Sequence, residues 1–425
     1  MTAMLWKRWL RIMAIPAVLV VLGGILDLIG FYCVAWIFLL TNFFGWPIFL
    51  AVAAIREKKT KMTGWQKCAT AGTGITLAFF AFCFLLIASV EIGQASLPVS
   101  AKSSPIYLDD DLADVRGQIH VHSYLSDDSN GTFEEIAAAA RANGVSFIIL
   151  TDHISSLPAG EYPDLIDGVL FIYGSEQTWK DGSSYSSASL KEAERKLNLY
   201  GHIEYFRDSG NSEWDSWDAI ELVNFHANSF QRPLTFLGAA FFNPKSIYRE
   251  LCVILPKNLE YWQKLAEREG RPIPIFAATD AHQSIGILGT KIDPYKLLFS
   301  LASTHVQVNR GEELNQESIF SAIKKGRTYI VFDYLGDPSG FRFWASDENS
   351  KKFFTGDSVR NVKSLTVRLP NVDCRLRVFC NNRLISEGPA ESLVYTRYYP
   401  EPGLWRVEIE RDGYLWIISG QILVK

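Results

Sequence analysis

The chain has 425 residues, 48% of them apolar, and a formal net charge of −4 from 42 basic and 46 acidic side chains. That length exceeds one ordinary core, so more than one domain is expected. A nearly balanced, slightly acidic surface excludes bulk attraction to nucleic acid, and no nucleic-acid partner is expected.

Apolar residues concentrate near the N-terminus. From Ile12 to Ile55 the only charge is Asp27. As one helix this run would reach about 65 Å, roughly twice a hydrocarbon core. Two transmembrane helices are therefore predicted at 12–28 and 31–54, with a turn near Asp27 and Gly30. A third is predicted at 69–90, which carries no charge. Lys7, Arg8 and Arg11 precede the first span, and Arg56, Lys58, Lys59, Lys61 and Lys67 separate the second from the third. Both clusters should stay cytoplasmic. The apolar region is too long for a cleavable signal peptide. The expectation is a membrane-embedded, multi-pass region over 1–91, with the rest of the chain extracytoplasmic.

Residues 92–115, rich in Ser, Pro and Asp, read as a linker. From 116 short β-like runs alternate with helical ones. QIHVH, VSFIILT, GVLFIYG, AIELVNF, PIFAAT and HVQV are predicted strands. Helices are predicted at 132–142, opened by a capping box of Thr132 and Glu135, and at Ser189–Leu197, 244–254, 257–269 and 314–325. This alternation predicts an α/β domain over 116–335 with a mainly parallel sheet or barrel. From 336 to 425 the runs FRFWAS, SLTVRL, RLRVFC, LWRVEIE and YLWIIS predict a small all-β sandwich. Cys374 and Cys380 flank one such run. Six residues of strand span about 20 Å, too far for a disulfide.

All seven histidines lie between His120 and His305. They gather at the ends of apolar runs beside carboxylates: His120 and His122 with Asp127, His153 after Asp152, His282 after Asp280. Imidazole with carboxylate is the ligand set of Zn, Mn and Fe sites. The spacing His-x-His puts both rings on one face of a regular strand. Strand C-termini are where α/β barrels assemble active sites. His226 is a candidate to face substrate, whereas His305 sits inside an apolar strand and reads as structural. Lys291 and Arg310 follow late strands and, with Arg207 and Asn224, are candidates to hold a phosphate.

HVHSYLSD resembles the first motif, HxHxxxSD, of the PHP (polymerase and histidinol phosphatase) superfamily. TDH at 151–153 resembles its second motif. Glu176 in YGSEQTW resembles the acidic ligand after its third strand, and DAH at 280–282 its last motif. The resemblance covers about 116–330. It implies a distorted (β/α)7 barrel holding two or three divalent ions, Zn, Mn or Fe. The implied ligands are His120, His122, Asp127, His153, Glu176, His202, Asp280 and His282, with Glu176 bridging and Asp127 preferred to Asp128. Ile203 follows His202 where the family has proline, and a histidine expected between Glu176 and His202 is absent. Asp152 precedes a ligand and is placed to support it or to move a proton. Asp152, Glu176 and His226 are the implied catalytic residues. The implied activity is hydrolysis of a phosphomonoester or phosphodiester in a small phosphorylated substrate by metal-bridged hydroxide. The alternatives are hydrolysis of an amide or lactone, and a binding or scaffold module with weak catalysis.

Overall fold

The structure is a computed structural model that describes residues 83–97, 111–154, 162–178, 184–189, 196–203, 217–287, 290–371 and 373–425. The chain divides into two compact units, Met1–Glu91 with Ile287–Thr290, and Ile92–Gly286 with Lys291–Lys425.

The spans expected at 12–28 and 31–54 lie outside the described residues, as does most of 69–90. Among the described residues no helix is long and apolar enough to cross a membrane. The end of the third expected span belongs to a helix over residues 83–96 that runs on through Glu91. The expectation of a multi-pass membrane region with the rest of the chain extracytoplasmic is corrected to this: among the described residues no membrane-spanning helix supports it.

The second unit opens with strands β1 (Leu112–Val121), β2 (Phe147–Asp152), β3 (Leu165–Ile166), β4 (Val169–Thr178), β5 (Ser184–Ser189), β6 (Lys196–Gly201), β7 (Ala219–Asn224) and β8 (Ile275–Ala281). Strand β1 therefore begins inside the expected linker. Pairing runs β1–β2–β4–β5–β6–β7–β8, and β8 pairs back onto β1, so seven strands close a ring. Strands β2, β7 and β8 are buried along their whole length. Their near-continuous apolar runs FIIL, AI, LV and IFAA suit strands covered on both faces. Ile119, Phe147, Ile149, Leu199 and Phe276 share one core cluster with Ile319, Phe320 and Ile323 of the helix Gln316–Lys324. Gly117 leaves room for the Phe147 ring, since a Cβ there would stand 2.0 Å from it.

The helix Phe133–Ala142 starts on the predicted capping box, with Glu135 N–H on Thr132 Oγ1 and Thr132 N–H on the Glu135 carboxylate. Pro256–Glu269 also forms as predicted and ends at Gly270, whose φ of 60° suits a residue without Cβ. The helix expected at Ser189–Leu197 does not form at its described ends: Ser189 closes β5, while Lys196 and Leu197 open β6. Strand β5 pairs antiparallel with both β4 and β6, so the ring is mixed and does not repeat strand and helix.

Beyond the short strands β9 (Gly286–Ile287) and β10 (Thr290–Lys291), β11 (Ser303–Asn309) and β12 (Thr328–Val331) continue the sheet outward from β1. The C-terminal strands are β13 (Arg342–Asp347), β14 (Lys352–Phe354), β15 (Ser358–Val359), β16 (Val362–Arg368), β17 (Arg375–Cys380), β18 (Arg383–Pro389), β19 (Val394–Tyr398), β20 (Gly403–Arg411), β21 (Tyr414–Ser419) and β22 (Ile422–Val424). Strands β13, β14, β16 and β19 form a four-stranded sheet of their own. The others join the ring through β12, because β21 pairs antiparallel with it. One sheet of 16 strands thus runs from the ring to the C-terminus. The expected (β/α)7 barrel followed by a separate sandwich gives way to this mixed sheet. The backbone edge of β12 and the apolar β21 satisfy each other.

His305 in β11 is buried, its Nδ1 lies 3.1 Å from Tyr329 Oη, and its ring stacks on Tyr329. Burial first, and then the charges of Arg116 and Arg342, push its pKa down to about 3. Unfolded imidazole titrates near 6.5, so between about 3 and 6.5 the unfolded chain binds the extra proton. The stability tied to neutral His305 is complete above about 6.5 and is lost as pH falls toward 3. The slope for this one group reaches about 1.4 kcal/mol per pH unit. His305→Gln is expected to flatten that dependence by this amount, as read from urea midpoints between pH 7 and 4. An unchanged slope would sink the assignment.

Candidate metal centre

The candidate site lies at one end of the ring. His120 is the penultimate residue of β1 and His122 stands just past it; Asp152 ends β2 and His153 follows; Glu176 is near the end of β4. His202 follows β6, His226 lies in the helix Phe225–Gln231 after β7, Asp280 is in β8 and His282 follows it. Strand C-termini thus deliver the set, as the sequence reading anticipates.

The backbone makes this convergence by bending. His120, His202 and Asp280 have φ of 69°, 49° and 52°. Such left-handed angles are uncommon for residues with a Cβ and concentrate at functional sites. Strand β1 shifts register between Ile119 and Val121 against both β2 and β8, so His120 is a bulge residue. Simple alternation therefore does not aim these two imidazoles. The bulge does, and their ring centroids end 5.3 Å apart.

Four donor atoms form the tightest group. His120 Nε2 lies 3.2 Å from Glu176 Oε2 and 3.3 Å from Asp280 Oδ1. His122 Nε2 lies 3.3 Å from each of the same two oxygens. Donors bound at about 2.0–2.1 Å to one tetrahedral ion stand roughly 3.3–3.4 Å apart. His122 Nε2, Glu176 Oε1, Asp280 Oδ1 and His226 Nε2 are buried without a hydrogen-bond partner. Buried polar atoms are normally satisfied, so this cluster of exceptions fits a cation held among them. A second group surrounds Asp128 Oδ2, which is 3.2 Å from His282 Nε2 and 3.5 Å from His153 Nε2. His202 Nε2 lies 3.5 Å from Glu176 Oε1, and His226 Nδ1 lies 3.5 Å from Asp280 Oδ2. Four overlapping sets of donors result: His122, Asp128, His153 and His282; His120, His122 and Asp280; His120, Glu176 and His202; His226, Asp280 and His282. These largely buried His, Asp and Glu groups, with Asp128 and His153 exposed, can hold a metal ion.

Without a cation the cage is a knot of charges. Burial disfavours ionised His120, but the carboxylates of Glu176, Asp280 and Glu221 outweigh it and raise its pKa well above the usual value. The same contest, won by the nearby Asp280 and Glu176 carboxylates, raises His122 to about 9. Burial pushes Glu176 and Asp280 upward, yet the neighbouring imidazoles hold both well below the ordinary carboxylate range. Burial dominates at His282 and lowers it to about 4.

A supporting layer fixes the ligand loops. Asp152 accepts from Ser123 N–H and Oγ–H and from Ser126 Oγ–H. Ser126 Oγ also meets His122 Nδ1 at 3.1 Å and accepts from the His153 amide. Tyr295 Oη donates to the His122 carbonyl at 2.7 Å and also lies 3.3 Å from that of His282, while Ser129 Oγ donates to the latter at 2.8 Å. The His122 and His282 rings stack at 4.1 Å.

Several expected residues are corrected. Asp127 is exposed and outside the converging donors; Asp128 takes its place. Ser126, held by Asp152 and the His153 amide, starts a turn that carries the next carboxylate but one over His153 and His282. Asp152 braces this loop and is not in the cage. Arg310 donates to the Leu112 carbonyl at the start of β1, eight residues or about 26 Å of strand from His120. Lys291 is exposed, with its carbonyl accepting from Gln94. Asn224, another phosphate candidate, caps the helix of His226 and donates to Asp280. Arg207 lies outside the described residues. Sequence reasoning missed Glu221, which is wholly buried with Oε2 2.6 Å from His120 Nδ1. Its signal was an acidic residue inside the otherwise apolar run AIELVN.

No family model matches the chain, and no curated protein is similar to it. Among solved structures, PsfC from Pseudomonas syringae PB-5123 is similar over 52% of this chain and 91% of that one, at 14% identity and a TM-score of 0.30. A likeness that loose carries no argument, so what the site does rests on its own geometry.

Proposed function

We propose that the protein is a metal-dependent phosphoesterase acting on a small phosphorylated substrate, with two or three divalent ions (Zn, Mn or Fe) in the cage. The observation that carries this reading is that the Nε2 atoms of His120 and His122 each lie within 3.3 Å of both the Glu176 and the Asp280 carboxylate, beside His153, His202, His226, His282 and Asp128. Bound divalent ions supply Lewis-acid charge for a phosphoryl group and acidify water. The chain's own residues do the rest. Glu176 turns Oε2 toward His120 and His122 and Oε1 toward His202, so one carboxylate serves adjacent positions. Asp128 and His153, with side chains 49% and 31% exposed, are the most open members and are placed to pass a proton between site and water.

One observation favours hydrolysis of an amide or lactone instead. Neither of the described cations expected at the phosphate, Lys291 and Arg310, is in the cage. The deciding experiment offers p-nitrophenyl phosphate, its bis ester, and an amide and lactone panel to protein loaded with each metal. The proposal expects phosphate-ester turnover that a chelator abolishes. Turnover confined to the amides or lactones would replace it with the second reading. No turnover on any would leave a metal-binding module.

A further inference from the structure

Beneath the cage, Glu221 occupies the middle of β7 and is wholly buried. Its Oε2 lies 2.6 Å from His120 Nδ1. Its Oε1 accepts from the His202 amide at 3.0 Å and from Asn224 Nδ2 at 2.9 Å. Asn224 Nδ2 in turn lies 3.2 Å from Asp280 Oδ2, and Asn224 Oδ1 accepts from the Ala227 amide in the helix of His226. Two neighbouring side chains therefore touch the segments that carry four candidate ligands. Three of those segments, at His120, His202 and Asp280, have the left-handed backbone noted above.

We propose that Glu221 is the positioning residue of the metal centre: its carboxylate holds the proton of His120 on Nδ1, so that the Nε2 lone pair faces the cage, and with Asn224 it fixes His202 and Asp280. This rests on the metal-binding part of the function proposed above. The chemistry of the three donors requires a carboxylate. An ionised carboxylate is acceptor-only on both oxygens, whereas an amide offers one oxygen and one NH2. In Glu221→Gln, one orientation turns NH2 toward His120 and forces the imidazole proton onto Nε2, inside the cage. The other turns NH2 against the His202 amide and Asn224. A buried glutamate serving only the fold would shift stability and leave ligand chemistry alone. A carboxylate behind a metal-ligating histidine sets its tautomer and typically changes metal affinity 10–100-fold.

The test compares the full chain with Glu221→Gln and Asn224→Ala. Zn2+ affinity is read by calorimetry, the fold by circular dichroism, and His120 by histidine 15N NMR of the zinc-loaded proteins. The expected result is a 10–100-fold weaker affinity for Glu221→Gln with an unchanged fold and a loss of the Nδ1-protonated signal of His120. Asn224→Ala is expected to weaken binding less, because the contact of Glu221 with His120 survives. Equal affinity and an unmoved tautomer in Glu221→Gln would overturn the positioning role while leaving the metal site intact. If Glu221→Gln does not fold, Asn224→Ala decides, and wild-type affinity in that variant overturns the inference. Failure of the wild-type chain to bind any Zn2+ overturns the metal centre itself, and this role with it.

Discussion

Glu176→Gln is expected to strip metal from the protein and to lower hydrolysis by more than about 100-fold, the upper end of the loss for a residue that only supports a ligand. Glu176 does more than support. Its Oε2 lies 3.2 Å from His120 Nε2, 3.3 Å from His122 Nε2 and 3.7 Å from His153 Nε2, and its Oε1 is 3.5 Å from His202 Nε2. Four imidazoles thus converge on one carboxylate. Glutamine keeps the shape but must turn an NH2 either toward His202 or toward His120, His122 and His153, and that group cannot ligate a cation. The measurement is metal content by mass spectrometry beside kcat/KM on the bis ester. Retention of both in Glu176→Gln would mean that the cation sits elsewhere.

Glu408→Ala is expected to destabilise the protein by about 3–5 kcal/mol, the cost of leaving a buried charge without its partner. The charge is Arg406, which is 1% exposed. Its Nε and Nη2 both donate to Glu408 Oε1, at 3.1 and 2.9 Å. Its guanidinium lies 4.2 Å from the Phe379 ring centroid and 6.0 Å from that of Trp262 in the helix Pro256–Glu269. Burial lowers the pKa of Arg406, with Glu408 opposing. Arginine nonetheless stays charged, so losing Glu408 strands a cation among aromatics. The converse sharpens the test. Arg406→Met with Glu408→Leu removes both charges and is expected to be neutral or stabilising. Urea unfolding with an unchanged m-value measures both. A single variant as stable as the wild type would show that the Arg406 charge does not depend on Glu408, which also pairs with Arg377 at 3.1 Å, and would overturn the prediction.

The site was more legible than the sheet, for physical reasons. Histidines beside carboxylates at the ends of apolar runs announce ligands because few other roles put them there. Seven of the eight expected ligands join the cage donors, and the eighth, Asp127, misses by one position. A turn can present either neighbour, and no spacing rule separates them. Glu221 was hidden because its role comes from strands distant in sequence. Helices with local signals, such as the capping box at Thr132 and Glu135, were readable from a few residues. Strands β5 and β6 were not. Helix-forming residues of KEAERKL favoured a helix near Lys196 and Leu197, and pairing of β6 with β5 and β7 overrode that preference. The separation of the C-terminal strands failed for a similar reason, since alternation reveals strands but not their partners.

The pairing of β21 with β12 constrains how the molecule is made. Residues 328–331 leave the ribosome well before residues 414–419, yet those late residues cover the outer edge of β12. At about 5–20 residues per second the nascent chain carries that open edge for several seconds. During this interval a neighbouring polypeptide on the same message can pair with it. The last strands to be synthesised therefore act as the molecule's own guard against clumping, and a ribosome stalled before Tyr414 releases a chain that lacks it.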